Sequence, residues 1–163
     1  MDFEFSADQE LLRDTVRRFL SERAPLSPYV RAMLTDARGT SPEIWSGLAE
    51  LGVTGLLVPE RYGGAGMGMV DVAVVVEELG RALHPGPFLA SAVGATSLIA
   101  RVGADTTRAE HLPALASGKT IGTVALYEPG QRGAWDQPAT RAERVARAAG
   151  DGWALTGVKA HVP

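Results

Sequence analysis

The chain has 163 residues, 45% of them hydrophobic, and a formal net charge of −3. That suits one domain, or one domain and part of another, with enough apolar content for a real core rather than disorder. The mild charge, with fourteen Arg and two Lys scattered along the chain, excludes a broad nucleic-acid face, and the lack of cysteine excludes disulfides, thiolate chemistry and Cys-bound metal.

The start, Met1-Asp2-Phe3-Glu4-Phe5, is acidic and has no apolar signal core, so no secretory leader is expected. No apolar run approaches membrane-span length, and the expectation is a soluble cytoplasmic protein. Ser6-Ala7-Asp8-Gln9 has the form of a capping box. Leu11, Leu12, Thr15, Val16, Phe19 and Leu20 then recur at helical spacing, with Arg13, Arg17 and Arg18 mostly off that stripe. This first helix should end before Pro25, and a short helix over residues 29–34 can follow.

Ser41-Pro42-Glu43 predicts a second helix: an N-cap, a proline in the first turn, then an acid near the positive helix end. Ile44, Trp45, Leu48 and Leu51 give its stripe, and Gly52 its left-handed stop. Residues 53–58 form a short apolar run closed by Pro59. The glycines 63, 64, 66 and 68 precede a third helix over residues 70–83. Its five valines favour a strand by propensity. Its length and the unalternating ending Glu77-Glu78-Leu79-Gly80-Arg81 favour a helix, placed centrally because it is apolar nearly all round.

His84-Pro85-Gly86-Pro87 is a hard break. Residues 88–102 read as a fourth helix. Asp105 or Thr106 can cap a fifth, kinked by Pro113 and ending at Ser117-Gly118. After Lys119 the texture changes. Residues 120–126 look like a strand that stops at Tyr127-Glu128-Pro129-Gly130. Residues 153–158 alternate weakly after the turn Gly150-Asp151-Gly152, and residues 144–149 can pair with them across it. The spacing of Arg141, Arg144 and Arg147 equally permits a helix; as surface, that group is interrupted by Glu143 and reads as solvated.

The expected class is mainly α: a helical bundle domain over residues 1–118, then the first strands of a β-barrel-like domain over 119–163, α+β overall. Three strands ending at Pro163 would leave sheet edges unpaired, so the expectation is a fragment or a sheet completed by a partner.

Few side chains suggest chemistry by themselves. A dinucleotide-loop match starting at Gly64 fails because Met69 stands where the last glycine is needed, and no βαβ pattern follows. The cluster reads instead as a turn needing positive φ. His84, His111 and His161 lack ligand spacing, so no metal is expected; His84 reads as a helix-end residue and His111 as helix surface. Glu77 and Glu78 point about 100° apart on a helix and read as a solvated face rather than a paired site. Glu128, at a strand end, is open between a turn residue bonding local backbone and a direct role.

Five segments in order resemble the acyl-CoA dehydrogenase family and cover essentially the whole chain. They are Phe5-Ser6-Ala7-Asp8-Gln9-Glu10-Leu11-Leu12, residues 45–52, Val58-Pro59-Glu60-Arg61-Tyr62-Gly63-Gly64, Glu77-Glu78-Leu79-Gly80-Arg81, and the junction over residues 112–130. The resemblance implies a larger protein with an N-terminal helical domain, a middle β domain and a C-terminal bundle. It implies FAD as cofactor, an acyl-CoA substrate desaturated between Cα and Cβ, and an electron-transfer flavoprotein-type acceptor. It implies a homo- or hetero-oligomer. The family's glutamate base belongs to the C-terminal domain, so no catalytic residue is expected in this segment.

Two flavin-contact segments of the family depart here. The family's L-T-E-P-G-x-G-S-D becomes Leu126-Tyr127-Glu128-Pro129-Gly130-Gln131-Arg132-Gly133-Ala134, and its G-x-K-x-W-I-T becomes Gly157-Val158-Lys159-Ala160-His161-Val162-Pro163. The resemblance makes Tyr127, Gly133, His161 and Pro163 the cofactor-binding positions. It makes Phe88, Leu89, Ala92 and Glu128 the substrate-binding positions, against plain core packing for the first three. Tyrosine and histidine can stack on a flavin or donate to it, whereas Pro163 has no N–H to donate. Three hypotheses follow: an FAD-dependent dehydrogenase of a bulky or steroid-derived acyl-CoA, a flavin-deficient partner subunit of a heteromeric one, and a helical interaction module with no redox role.

Overall fold

In the computed structural model, which describes residues 4–130, 136–146 and 152–163, the first helix, α1 (Ala7–Arg23), begins at the capping box. Ser6 Oγ accepts from the Gln9 N–H at 3.2 Å, and Gln9 Oε1 accepts from the Ser6 N–H at 3.0 Å. Two of the orphan donors of the helix start are thereby satisfied. Ser27 is extended (φ −129°, ψ 127°), and the chain then turns helical into the short α2 (Arg31–Met33). Helix α3 (Pro42–Glu50) starts at Ser41, whose hydroxyl accepts from the Ile44 N–H, and Gly52 follows at φ +77°. The apolar run over 53–58 folds as a 3-10 turn, Val53–Gly55, and a second turn, Glu60–Tyr62, leads into the glycines. Gly63 and Gly66 take positive φ. Gly64 is needed for a different reason: a Cβ there would stand 2.1 Å from the Val58 carbonyl oxygen.

Helix α4 (Met69–Arg81) is helical despite its valines. Val72, Val75 and Leu79 all lie in the core, a spacing that only a helix places on one face. Asp71 accepts from the Gly68 N–H at 2.9 Å and from Gln9 Nε2 at 3.1 Å, joining the starts of α4 and α1. The helix is not surrounded on all sides, as its composition predicts; Met69 and Val70 are exposed. A π-helical stretch, Leu89–Ala95, runs directly into α5 (Thr96–Val102), so the fourth predicted helix begins in a wider helical form. Helix α6 (Asp105–Ala116) starts one or two residues earlier than a cap at Asp105 or Thr106 predicts, with Ala104 as the cap, and Gly118 follows its end at φ +68°. Among the described residues no helix is long and apolar enough to cross a membrane.

The main core unites Val16 and Leu20 of α1, Ile44, Trp45 and Leu48 of α3, Val72, Val75 and Leu79 of α4, and Phe88 and Ala92. A smaller cluster joins Val58 to Leu112, Leu115 and Ala116 of α6. Each fully buried side chain of this kind contributes roughly 1.5–3 kcal/mol.

Glu78 corrects the solvated-face expectation. Glu77 is exposed, but the Glu78 side chain is fully buried. Arg17 of α1 donates to it from Nε at 3.0 Å and from a terminal nitrogen at 2.6 Å, and Arg81 donates from Nε at 2.8 Å. These bonds, the Arg17 pair first, hold its carboxyl below the ordinary value.

The chain divides into two compact units, Met1–Gly122 and Thr123–Pro163. The second contains an antiparallel pair, β1 (Arg141–Val145) and β2 (Gly152–Thr156), with Arg144 opposite Trp153 and its guanidinium 5.6 Å from that ring's centre. The pairing expected for 144–149 therefore lies a few residues earlier, and the helical alternative for the Arg141 group is overturned at Arg141 and Arg144. Arg147, Gly150 and Asp151 lie outside the described residues. The strand expected over 120–126 is also corrected. That run joins no ladder among the described residues. Its polar groups bond elsewhere: Thr120 N–H to the Ala114 carbonyl, and Gly122 N–H to Ser91 Oγ. A strand needs a partner at ladder spacing, which apolar alternation alone does not supply.

Candidate functional site

The second unit is organised around Glu128. Its residue is 6% exposed, the only buried position among the described residues of 123–163. Its Oε2 accepts from the Ala139 N–H at 2.6 Å. Its Oε1 accepts from the Thr140 N–H at 3.0 Å, from Lys159 Nζ at 2.8 Å and from the Thr140 hydroxyl. Lys159, then Thr140, hold this carboxyl far below its ordinary value, at about 2. The backbone that Glu128 grips lies eleven and twelve residues away, so this is not the local turn contact its position suggests.

Around this anchor the two family segments come together. The Ala160 N–H donates to the Tyr127 carbonyl at 2.9 Å, and the Thr123 hydroxyl donates to the Pro163 carbonyl at 2.9 Å. Gly157, which opens the second segment, is needed for close approach: a Cβ there would stand 2.3 Å from Thr140 Oγ1. Thr140 thus fits between Glu128 and Gly157. The Tyr127 side chain remains 44% exposed, and His161 is exposed at φ +50°. Tyr127, His161 and Pro163 are brought to one pair of segments. Gly133 lies outside the described residues. Thr140 and Ala139 escaped sequence reasoning, because only the fold carries them to Glu128; the Lys of G-x-K was the available signal for Lys159.

In the helical unit, Phe88 and Ala92 are 3% and 4% exposed and belong to the main core, while Leu89 is 60% exposed. Leu89 and Phe88 line a cleft of about 270 Å³ with Val76, Leu79, Leu83 and His84. His84 stacks on Tyr29 at 6.0 Å between ring centres, and burial lowers its pKa to about 4. It is therefore more than a helix-end residue.

Residues 6–119 match the family profile described as the N-terminal domain of acyl-CoA dehydrogenases. Acyl-CoA dehydrogenase IpdE2 of Mycolicibacterium smegmatis is 43% identical over 123 residues, which is 74% of this chain and 37% of that protein. The structure is similar to the Tcur3481-Tcur3483 steroid ACAD, with TM-score 0.81 and 33% identity over 96% of this chain and 41% of that one. It is equally similar in TM-score, 0.81, to an acyl-CoA dehydrogenase from Bacillus anthracis complexed with FAD, at 29% identity over 98% of this chain and 27% of that one. The chain thus spans well under half the length of these relatives. The profile match over residues 6–119, together with 43% identity over 74% of the chain, shows that this chain belongs to the acyl-CoA dehydrogenase family.

Proposed function

We propose that the chain serves FAD-dependent α,β-desaturation of an acyl-CoA thioester carrying a bulky, steroid-like acyl group. The observation that carries this is the meeting of the two flavin-type segments at the Ala160–Tyr127 bond, with the Tyr127 ring left exposed beside them. One similar structure is named as an FAD complex and another as a steroid enzyme, which supports the cofactor and the acyl class.

The residues present fit a flavin. Tyr127 offers a phenol that can stack or donate, and His161 an imidazole on an exposed turn. Gly133 is the third proposed contact. Pro163 contributes no N–H. FAD, when bound, supplies the acceptor for the hydride leaving Cβ. Glu128 is a positioning residue: its carboxylate is engaged by Ala139, Thr140 and Lys159, so it holds the segments rather than the substrate. Leu89 and the apolar cleft beside it take part of the acyl group. The enzyme works as a cytoplasmic oligomer and passes electrons to an electron-transfer flavoprotein-type acceptor.

A second reading has its own observation. Tyr127, His161 and Pro163 replace the family's Thr, Trp and Thr, and such departures suit a flavin-deficient subunit paired with a flavin-bearing one. Titrating the purified chain with FAD and following flavin fluorescence separates the two. Saturable quenching, weakened about tenfold by Tyr127→Ala as expected for a lost stacking contact, supports the first. A colourless chain that leaves the fluorescence unchanged overturns it and leaves the partner reading, which predicts co-purification with a related chain.

A further inference from the structure

The helical unit has a second cleft, which shares only Gly86 with the lining of the cavity beside Leu89. Its volume is about 690 Å³, within the range of small-molecule sites. Its walls are apolar: Pro42 and Trp45 of α3, Pro87, and Ile121. Trp45 is held rigidly, since its indole N–H donates to the Gly118 carbonyl at 2.9 Å and the residue is 5% exposed. Two cations, Arg38 and Lys119, also line the cleft.

Two further observations point to a ligand. Thr40 is a lining residue of the cleft, and its hydroxyl is buried with no hydrogen-bond partner among the described residues. A buried hydroxyl without a partner is costly, and an acceptor entering the cleft would relieve that cost. Lys119 makes no ion pair among the described residues and is one of only two lysines in the chain. Arg38 is less free. Its Nε lies 3.5 Å from Asp36 Oδ1. Lys119 is therefore the principal anchor and Arg38 the auxiliary one.

We propose that this cleft binds a small amphipathic organic anion: an apolar, ring-sized body against Trp45, Pro87 and Ile121, and a carboxylate or phosphate head at Lys119, with Thr40 donating to it. The apolar walls select the body by burial, and the cations select the head by charge-assisted hydrogen bonds.

The test uses the whole chain and the indole N–H resonance of Trp45, assigned with Trp45→Phe. Probes are 2-naphthoate, 2-naphthyl phosphate and the uncharged 2-naphthamide. The expected result is a saturable shift with one or both anions, with the tighter head identifying the source chemistry, and binding of the amide weaker by about tenfold, the scale of a hydrogen bond to a charged group. Lys119→Gln should weaken the anion by a similar factor and leave the amide unchanged. Thr40→Val, which keeps the shape, should weaken the anion less than Lys119→Gln. Equal binding of amide and anion, indifference to Lys119→Gln, or the absence of a saturable shift overturns the proposal. So does displacement of naphthoate by equimolar coenzyme A, because the cleft would then belong to the thioester.

Discussion

The two units of this chain are held by opposite means. In the helical unit, Leu20, Leu48, Val16 and Val75 are sealed from solvent and the order comes from apolar burial. In the unit from Thr123, the large apolar residues Trp153, Leu155 and Val158 are 59–74% exposed, and the buried centre is the carboxylate of Glu128. Apolar burial is distributed over many side chains, so its loss is graded. A polar hub is concentrated, and removing it leaves several donors unmatched at once. Each unit does contain a buried glutamate. Glu78 is gripped by two arginine side chains and sits in an apolar core that holds the helices anyway; Glu128 is gripped by two backbone N–H groups, the Thr140 hydroxyl and Lys159, with no such core among the described residues around it.

That contrast can be broken from either side. The largest effect is expected from Glu128→Ala. Amide exchange over 136–163 should rise to near that of an unfolded segment, while the melt of the helical unit is unchanged; protection that persists at Ala139 and Thr140 would contradict the hub. Leu48→Ala should do the reverse, lowering helical-unit stability by about 2–5 kcal/mol in a denaturant melt and leaving exchange over 136–163 as it was.

Acid should sharpen the comparison by acting on the two units in different windows. His84 has its pKa depressed from 6.5 to about 4, so the unfolded chain binds the extra proton. Its stabilisation is full above 6.5 and is lost as pH falls towards 4, at up to about 1.4 kcal/mol per pH unit. Glu128 is depressed from 4.5 to about 2, so its contribution is full above 4.5 and is lost only as pH falls towards 2. Helical-unit stability should therefore decline first, followed by exchange over 136–163. His84→Phe should flatten the first decline and not the second.

Local chemistry made most of the helical unit readable. The Ser6 and Gln9 capping box, the Ser41-Pro42 start, and the stops at Gly52 and Gly118 each depend on residues within a turn of one another. Helix α4 was readable because length and the Leu79 end outweighed valine propensity, and burial of Val72, Val75 and Leu79 shows why. At the candidate site, the E-P-G and G-x-K segments were visible as words. The hub was not, because Thr140 and Lys159 reach Glu128 across twelve and thirty-one residues.

The amino-acid sequence by itself determined most helix starts and stops, the apolar stripes and the family, because each is encoded by neighbours in the chain. Tertiary structure alone decided the rest. Glu78 is buried because Arg17 arrives from sixty-one residues away, and at the start of the run over 120–126 the Thr120 and Gly122 N–H groups bond Ala114 and Ser91 rather than a neighbouring strand. A charge's solvation and a strand's partner are properties of what packs against them, and one-dimensional spacing does not carry that information.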